Sequence, residues 1–338
     1  MTMKRVILLF LLLSFTHKSP AFGPRGHRMV GAIADQLLAG KPAASKIHTM
    51  LEGLNLSEAS TLADEIKEWD GEPANKQRAI LKHWPKLAAQ LKAFWNANPP
   101  FDNDSTTRPS HHWFHYADVP VASKDKYGDG RMGRSKWDIV HMTNYCIRVL
   151  NGSEAEKNER NITKTMALIL LAHYIGDIHQ PLHIGAEYFT TTGKPCNPEI
   201  TKSYFGDQGG NTLILALAKG CNPGLIRDSL HRFWDHEAVD IAFPTDTVDT
   251  SGCNPLPRLA MKSCVETWAN ESLTIARSAH KRLGFAGIKI QNGNATGTAF
   301  ELKMKDGVCY QEWAGKEVRA SIKKAGRRLA AVLTEVLK

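Results

Sequence analysis

The chain has 338 residues, 42% of them hydrophobic and 23% charged, with a formal charge of +9. That is ordinary globular material, enough for one large domain. Beyond the N-terminus no run reaches the ~18 apolar residues that a membrane-spanning helix needs, which excludes a stable membrane anchor and predicts a soluble mature chain.

The first 21 residues read differently. Lys4 and Arg5 precede the apolar run Val6–Leu13, and Ser19-Pro20-Ala21 offers small residues where a signal peptidase inspects the chain. Residues 1–21 are expected to be a secretory signal and 22–338 the mature domain, secreted, or periplasmic in a bacterium. Removing Lys4, Arg5 and Lys18 lowers the charge to +6, 40 basic against 34 acidic residues, a modest excess that suits an anionic substrate. The six cysteines lie outside this segment: Cys146, Cys196, Cys221, Cys253, Cys264 and Cys309. With no C-x-x-C pair among them, an even number in an exported chain points to disulfide bonds rather than metal ligation. Proximity suggests Cys196–Cys221 and Cys253–Cys264.

Phe22-Gly23-Pro24-Arg25-Gly26-His27 would then open the mature chain and lead into a helix with Met29, Val30, Ile33, Ala34, Leu37 and Leu38 on one stripe. His27 falls on that inward stripe. A bare α-amino group close to an inward imidazole can chelate a metal; a packed helix with an incidental histidine is the alternative. In Ser60–Trp69, Leu62, Ile66 and Trp69 mark a buried face, while Asp64 and Lys67, three apart, either point into a cleft together or lie on a solvated face. Residues 97–110 are loop-like in composition. His111–Pro120 reads as a short extended aromatic segment, with His115 and Ala117 facing one way and Tyr116 and Asp118 the other. A glycine-rich loop covers 124–134, and a helical pattern resumes over 137–150.

The densest chemistry lies in His173-Tyr174-Ile175-Gly176-Asp177-Ile178-His179-Gln180-Pro181-Leu182-His183, at the end of the apolar run Met166–Leu171. The run reads as a buried helix, so His173 and Asp177, four apart, share a face, and Pro181 should end the helix and return His183 toward it. Imidazole and carboxylate at that spacing suit a divalent metal, zinc first. One such pair is more often a core histidine satisfied by its neighbour. A second pair, His231-x-x-x-Asp235, changes that weighting. Between them, 190–204 is irregular, and Gly209-Gly210-Asn211 leads into a candidate strand at Thr212–Leu215. After a loop over 243–257, helical patterns cover 268–283 and the C-terminal stretch through Val318, Ile322, Ala325, Leu329, Val332 and Val336. The expected fold is mainly α: a single helical domain with long loops and at most one small β-hairpin.

Taken together, Phe22–His27, Ala63-Asp64-x-x-Lys67, His115-Tyr116-Ala117-Asp118, the His173–His183 block, Gly209-Gly210-Asn211 and His231-x-x-Trp234-Asp235 resemble, in order and approximate spacing, the zinc-dependent single-strand nucleases and 3′-nucleotidases (the S-one/P-one nuclease family). That family shares its fold with bacterial zinc phospholipase C, and the resemblance covers nearly the whole mature chain. It implies three zinc ions: one held by Asp64, His115, His173 and Asp177; a second by His183, His231 and Asp235; a third by the amino nitrogen and carbonyl oxygen of Phe22, with His27 and a bridging Asp177. His179 has no ligand role in the pattern. The family usually carries Trp at the terminal position, but Phe22 keeps both backbone ligands.

The resemblance further implies endonucleolytic cleavage of single-stranded RNA and DNA to 5′-phosphorylated products, and removal of 3′-phosphate from 3′-nucleotides. A hydroxide bridging two metals would attack phosphorus. Asp64, Lys67 and Asp177 take the catalytic roles, Lys67 by neutralising charge on the phosphoryl oxygens. Tyr116 would stack a base, Asp118 hydrogen-bond it, and Asn211 lie near the phosphate, the protein acting as a monomer. A zinc phospholipase C shares the metal cage, and a secreted binding module with structural zinc is the non-enzymatic alternative.

Overall fold

The computed structural model describes residues 22–67, 69, 83–98, 110–217, 228–245, 247–248, 250–253, 256 and 263–338. The expected signal segment, Cys221 and most of the 97–110 loop lie outside the described residues. Helices dominate: α1 (Gly23–Leu38), α2 (Pro42–Met50), α3 (Leu56–Ala59), α4 (Leu62–Lys67), α5 (Pro85–Ala97), α6 (Ile139–Leu150), α7 (Lys164–His179), α8 (Leu230–Asp235), α9 (Glu237–Ala242), α10 (Cys264–Lys281) and α11 (Tyr310–Val336).

The fold is built around α7. The Thr163 side chain caps it by accepting from the Met166 amide, and every residue from Met166 to His179 is buried. A helix apolar on all sides over its first half has no solvent face to present, so it must be surrounded. Accordingly α1 to α6, α10 and α11 all pack against it. Leu168, Ile169, Leu170 and Leu171 are each at most 1% exposed, and burial of each contributes about 1.5–3 kcal/mol. The Asp138 carboxylate caps α6 through the Val140 and His141 amides. Asp35 reaches from α1 to the Leu56 and Ser57 amides, tying α3 to it.

Among the described residues there are three small sheets. β1 (Val119–Pro120) runs parallel to β2 (Gly185–Ala186), and β3 (Tyr188–Phe189) antiparallel to β4 (Phe205–Gly206). β5 (Leu213–Ala216) pairs in parallel with β7 (Asn294–Glu301), which is antiparallel to β6 (Leu283–Gln291). The mainly helical class is as expected, but there is more strand than one small hairpin. The long β6–β7 hairpin turns at Asn292 and Gly293, both left-handed at φ 50° and 78°, the Asn-Gly signature of a tight hairpin turn. Its strands are glycine-rich and weakly alternating, which hides them from a periodicity reading. His111–His115 is a 3₁₀ turn rather than extended chain; Tyr116 is extended, but Asp118 is left-handed at φ 58°, so the expected strand alternation does not run through this segment.

Cysteine chemistry differs from expectation too. Cys146, Cys196, Cys253 and Cys264 are thiols, whereas Cys309 is disulfide-bonded. Neither pairing suggested by proximity forms. Among the described residues no helix is long and apolar enough to cross a membrane.

Candidate metal centre

Five segments converge on the C-terminal half of α7. From α7 come His173 and Asp177, one turn apart on the same face, and His27 arrives from α1. Its ring stacks on His173 with centroids 3.8 Å apart, and Nε2 lies 3.2 Å from Asp177 Oδ1. Gly176 permits this approach: a Cβ there would sit 2.7 Å from His27 Nδ1. The 3₁₀ turn delivers His115, whose Nδ1 is 2.9 Å from Asp177 Oδ2 and 3.1 Å from His173 Nε2. Asp64 comes from α4, 3.5 Å from His173 Nε2 through Oδ1, and the same oxygen meets Lys67 Nζ at 2.8 Å.

A second group forms where α7 ends. Gln180 takes an extended conformation, and its side-chain oxygen accepts from the Leu182 amide at 2.6 Å, starting the 3₁₀ turn Pro181–His183. His183 is thereby turned back, and its Nδ1 hydrogen-bonds the His115 carbonyl. His231 and Asp235, one turn apart on α8, complete the group. His231 Nδ1 hydrogen-bonds the Gly209 carbonyl at 2.7 Å, and its Nε2 lies 3.4 Å from Asp235 Oδ2. A left-handed run, Gln208, Gly209 and Gly210 at φ 54°, 61° and 84°, aims that carbonyl.

The hydrogen bonds fix tautomers. A ring nitrogen facing a carbonyl must carry the proton, which leaves the other nitrogen of a neutral imidazole as a bare lone pair. Burial holds His183 down at about 4. Burial, reinforced by His183, holds His231 down at about 3. Both are therefore neutral near pH 7, and their bare Nε2 atoms face each other at 3.1 Å. Two lone pairs at that distance, with a carboxylate oxygen beside them, repel unless a cation lies between them. The first group makes the same demand. Asp64 Oδ2, Asp177 Oδ1, Asp235 Oδ2 and both His27 ring nitrogens are buried without a hydrogen-bond partner. Burial alone would raise the Asp177 carboxyl, but His173 and His183 hold it well below the usual carboxylate range. Burial likewise opposes ionisation of Asp64, and Lys67 and His173 overcome it. His173 is raised despite burial by Asp177 and Asp64. Three donor sets can each hold an ion: His27, His173 and Asp177; Asp64, His115 and His173; His183, His231 and Asp235. Imidazole with carboxylate oxygen suits zinc among divalent ions.

Phe22 is fully buried beside Asp235. Its amide donates to Asp235 Oδ1 at 3.1 Å, and its carbonyl accepts from the Gly26 amide at 3.0 Å. Tyr116 is 37% exposed. Asp118 is left-handed at φ 58°, and burial together with Asp207 pushes its carboxyl up to about 7. Asn211 donates to the Gln208 carbonyl at 2.9 Å, two residues beyond Gly209. His179 joins neither group: its Nδ1 donates to the Ile175 carbonyl at 2.6 Å and its Nε2 accepts from Arg328 at 2.7 Å. Sequence reasoning missed Gln180, whose Nε2 donates to Asp235 Oδ1 at 2.8 Å, and the carbonyls of Ser60, His115 and Gly209 that set the tautomers. A glutamine between a ligand helix and a proline was a legible signal; backbone carbonyls leave none.

Comparison with known proteins agrees with this geometry. The chain is 32% identical to Endonuclease 5 of Arabidopsis thaliana over 102 residues, 30% of this chain and 26% of that one. It is 26% identical to Endonuclease 4 of the same plant over 198 residues, 49% of this chain and 58% of that one. Endonuclease 3 matches at 27% over 184 residues, 53% and 48% of the two chains. The chain thus spans between about a quarter and three-fifths of the length of these relatives. The family model described as S1/P1 Nuclease matches residues 22–338, and the chain belongs to that family.

Proposed function

We propose that this protein is a zinc-dependent phosphodiesterase that cleaves single-stranded RNA and DNA internally to 5′-phosphorylated products and removes phosphate from 3′-nucleotides. The observation that carries the reading is the pair of bare His183 and His231 nitrogens facing each other at 3.1 Å within a buried, carboxylate-rich volume. Asp64, His115, His173 and Asp177 would hold one zinc; His183, His231 and Asp235 a second; His27, Asp177 and the backbone atoms of Phe22 a third. Bound zinc supplies an activated water and positive charge against the phosphodiester.

The chain's own residues supply the rest. Lys67 brings an ammonium to the edge of the cluster, where it can offset charge that builds on the phosphoryl oxygens. Exposed Tyr116 offers an aromatic face to an unstacked base, and every base has a π-face, which favours single strands without sequence preference. Asp118, two residues beyond Tyr116, would meet a base edge, and Asn211 stands next to the loop that orients His231. Gln180, bonded to Asp235, and the Gly209 carbonyl hold two ligands in their donor orientation, the outer-shell role that such partners play at metal sites.

In this reading residues 1–21 are removed on export, to the cell exterior or a periplasm, and 22–338 act as a monomeric domain. Removal matters chemically. The Phe22 nitrogen is a peptide amide while residue 21 precedes it and becomes an amine only after cleavage, and an amide is a far poorer ligand. The test is to prepare the chain beginning at Phe22 and again with one Ala before it, then measure zinc per chain and cleavage of a single-stranded oligonucleotide. The first form should be active and hold one more zinc than the second. Equal zinc and equal rates would remove Phe22 from the ligands, and a zinc-loaded protein that leaves single strands intact would overturn the nuclease reading.

A further inference from the structure

Away from the metal cluster, a cavity of about 530 Å³ opens between the loop that follows β1 and the C-terminal turns of α10. Its lining is strongly basic: Lys124, Arg277, His280 and Lys281, against Glu187 as the one carboxylate. Lys124 and Lys281 make no ion pair among the described residues, so their charges are available. His280 is 5% exposed, and its Nδ1 hydrogen-bonds the Ala276 carbonyl at 2.9 Å. Its Nε2 is buried with no hydrogen-bond partner, 3.7 Å from Asp207 Oδ2. The Nε of Arg277 is likewise buried and unpartnered, while its Nη2 donates to the Asp125 carbonyl. Fixed donors and free cations in one cavity, beside a buried imidazole paired to Asp207, make a place for an anion.

The cavity is joined to the metal centre by one ribbon of chain. Backbone bonds from Ala117 to His183, Val119 to Ile184 and Val121 to Ala186 run 2.8, 2.7 and 3.0 Å. The metal donors His115 and His183 stand at one end of the ribbon, and Val121 and Glu187 at the cavity. Six residues from His115 to Val121 span at most about 20 Å even when fully extended.

We infer that this cavity is a phosphate subsite for the single-stranded nucleic acid whose scissile bond lies at the metal centre, taking a backbone phosphate away from the cut. The inference rests on the nuclease reading. Arg277 and His280 form the floor of the subsite, with Lys124 and Lys281 at its mouth. Glu187 is compatible with an anion because burial pushes its carboxyl up to about 7, against the pull of His280.

The experiment compares the unmodified protein with the double variant Lys124→Ala/Lys281→Ala, whose changes fall on exposed side chains. Each is assayed on a dinucleotide, which contains only the scissile phosphate, and on a strand of about 12 nucleotides, within the length a single-strand groove covers. For the longer strand KM should rise, and its dependence on salt should become shallower by about 0.7 in log–log slope for each phosphate no longer neutralised. Dinucleotide turnover should not change. Inorganic phosphate added as competitor should weaken the longer strand selectively in the unmodified protein. Unchanged slope and KM, or an equal loss on both substrates, would overturn the subsite while leaving the nuclease reading intact. Phosphate that binds at the cavity without altering KM for the strand would make free phosphate the occupant and also overturn it. If the unmodified protein cleaves neither substrate, the nuclease reading fails, and the subsite falls with it.

Discussion

Gly176→Ala probes the metal centre without touching a ligand. A Cβ at position 176 would lie 2.7 Å from His27 Nδ1 and 2.9 Å from Cε1, about 0.7 Å inside the 3.4 Å at which ordinary contact begins. The His27 ring has nowhere to retreat: it is fully buried, stacked on His173 at 3.8 Å, with Nε2 3.2 Å from Asp177. Two effects on stability oppose each other. Alanine improves on glycine in a helix interior by about 1 kcal/mol, and overpacking costs about 1–3 kcal/mol, so the net loss should be no more than about 2 kcal/mol. The site is less forgiving, because misplacing a group by about 1 Å near the chemistry can cost on the order of 10²-fold in rate. The expected signature is a folded protein with a small shift in Tm, reduced zinc per chain, and kcat/KM on single-stranded substrate down by about 10²-fold. Thermal unfolding, elemental analysis and initial rates measure the three quantities. A variant with full zinc content and the parent rate would refute the claim that His27 is held against Asp177 by the space Gly176 leaves.

Two further outcomes follow from residues outside the ligand set. Tyr116→Ala should weaken single-strand binding by about 1–3 kcal/mol, the worth of one stacked base, with zinc content unchanged; loss of zinc in this variant would instead make Tyr116 a support for His115. Asp118 has a folded pKa near 7 against an ordinary value of 3.8. Between those values the folded chain keeps a proton that the unfolded chain has lost, so stability falls as pH rises through that window and stays lower above about 7. Asp118→Asn, which cannot ionise, should therefore raise Tm more at pH 8 than at pH 4, and an equal shift at both would refute the assignment of that pKa.

The helices were legible because their apolar residues recur with a helical period and their starts carry side-chain caps, as with Thr163 before α7 and Asp138 before α6. The two His-x-x-x-Asp pairs were legible because one helical turn puts residues four apart on one face. Bringing the two pairs into one centre was not, since that depends on the turn Gln180 starts and on β1 pairing with β2 in parallel, contacts across long sequence separations. The tautomers of His173, His183 and His231 were invisible for a similar reason: their partners are backbone carbonyls of Ser60, His115 and Gly209, which have no side-chain signature. The β6–β7 hairpin went unread although its Asn-Gly turn was in plain view, because Gly284, Gly287 and Gly297 break the alternation on either side.

Ions and fold are energetically coupled in this arrangement. Along α7 the first half, Met166 to Leu171, is wholly apolar and gains stability from burial alone. The second half places Asp177 in the same interior, with Asp64 and Asp235 close by and buried oxygens that have no hydrogen-bond partner. An uncompensated buried charge costs several kcal/mol, and a domain of ordinary stability has about 5–15 kcal/mol in total. Protonating His173 and raising Asp235 relieves part of that cost, the latter because burial and its neighbours Asp64 and Asp177 disfavour the charged form. Neither proton reaches the His183–His231 pair, and burial keeps both rings neutral near pH 7, so a shared cation rather than a shared proton would bridge their bare nitrogens. Divalent ions held by these donors would satisfy both groups, and their binding energy would then enter the folding free energy directly. Bound cations would then be structural members of the interior around α7 as well as the source of its chemistry, with the apolar half of the helix holding the polar half in place.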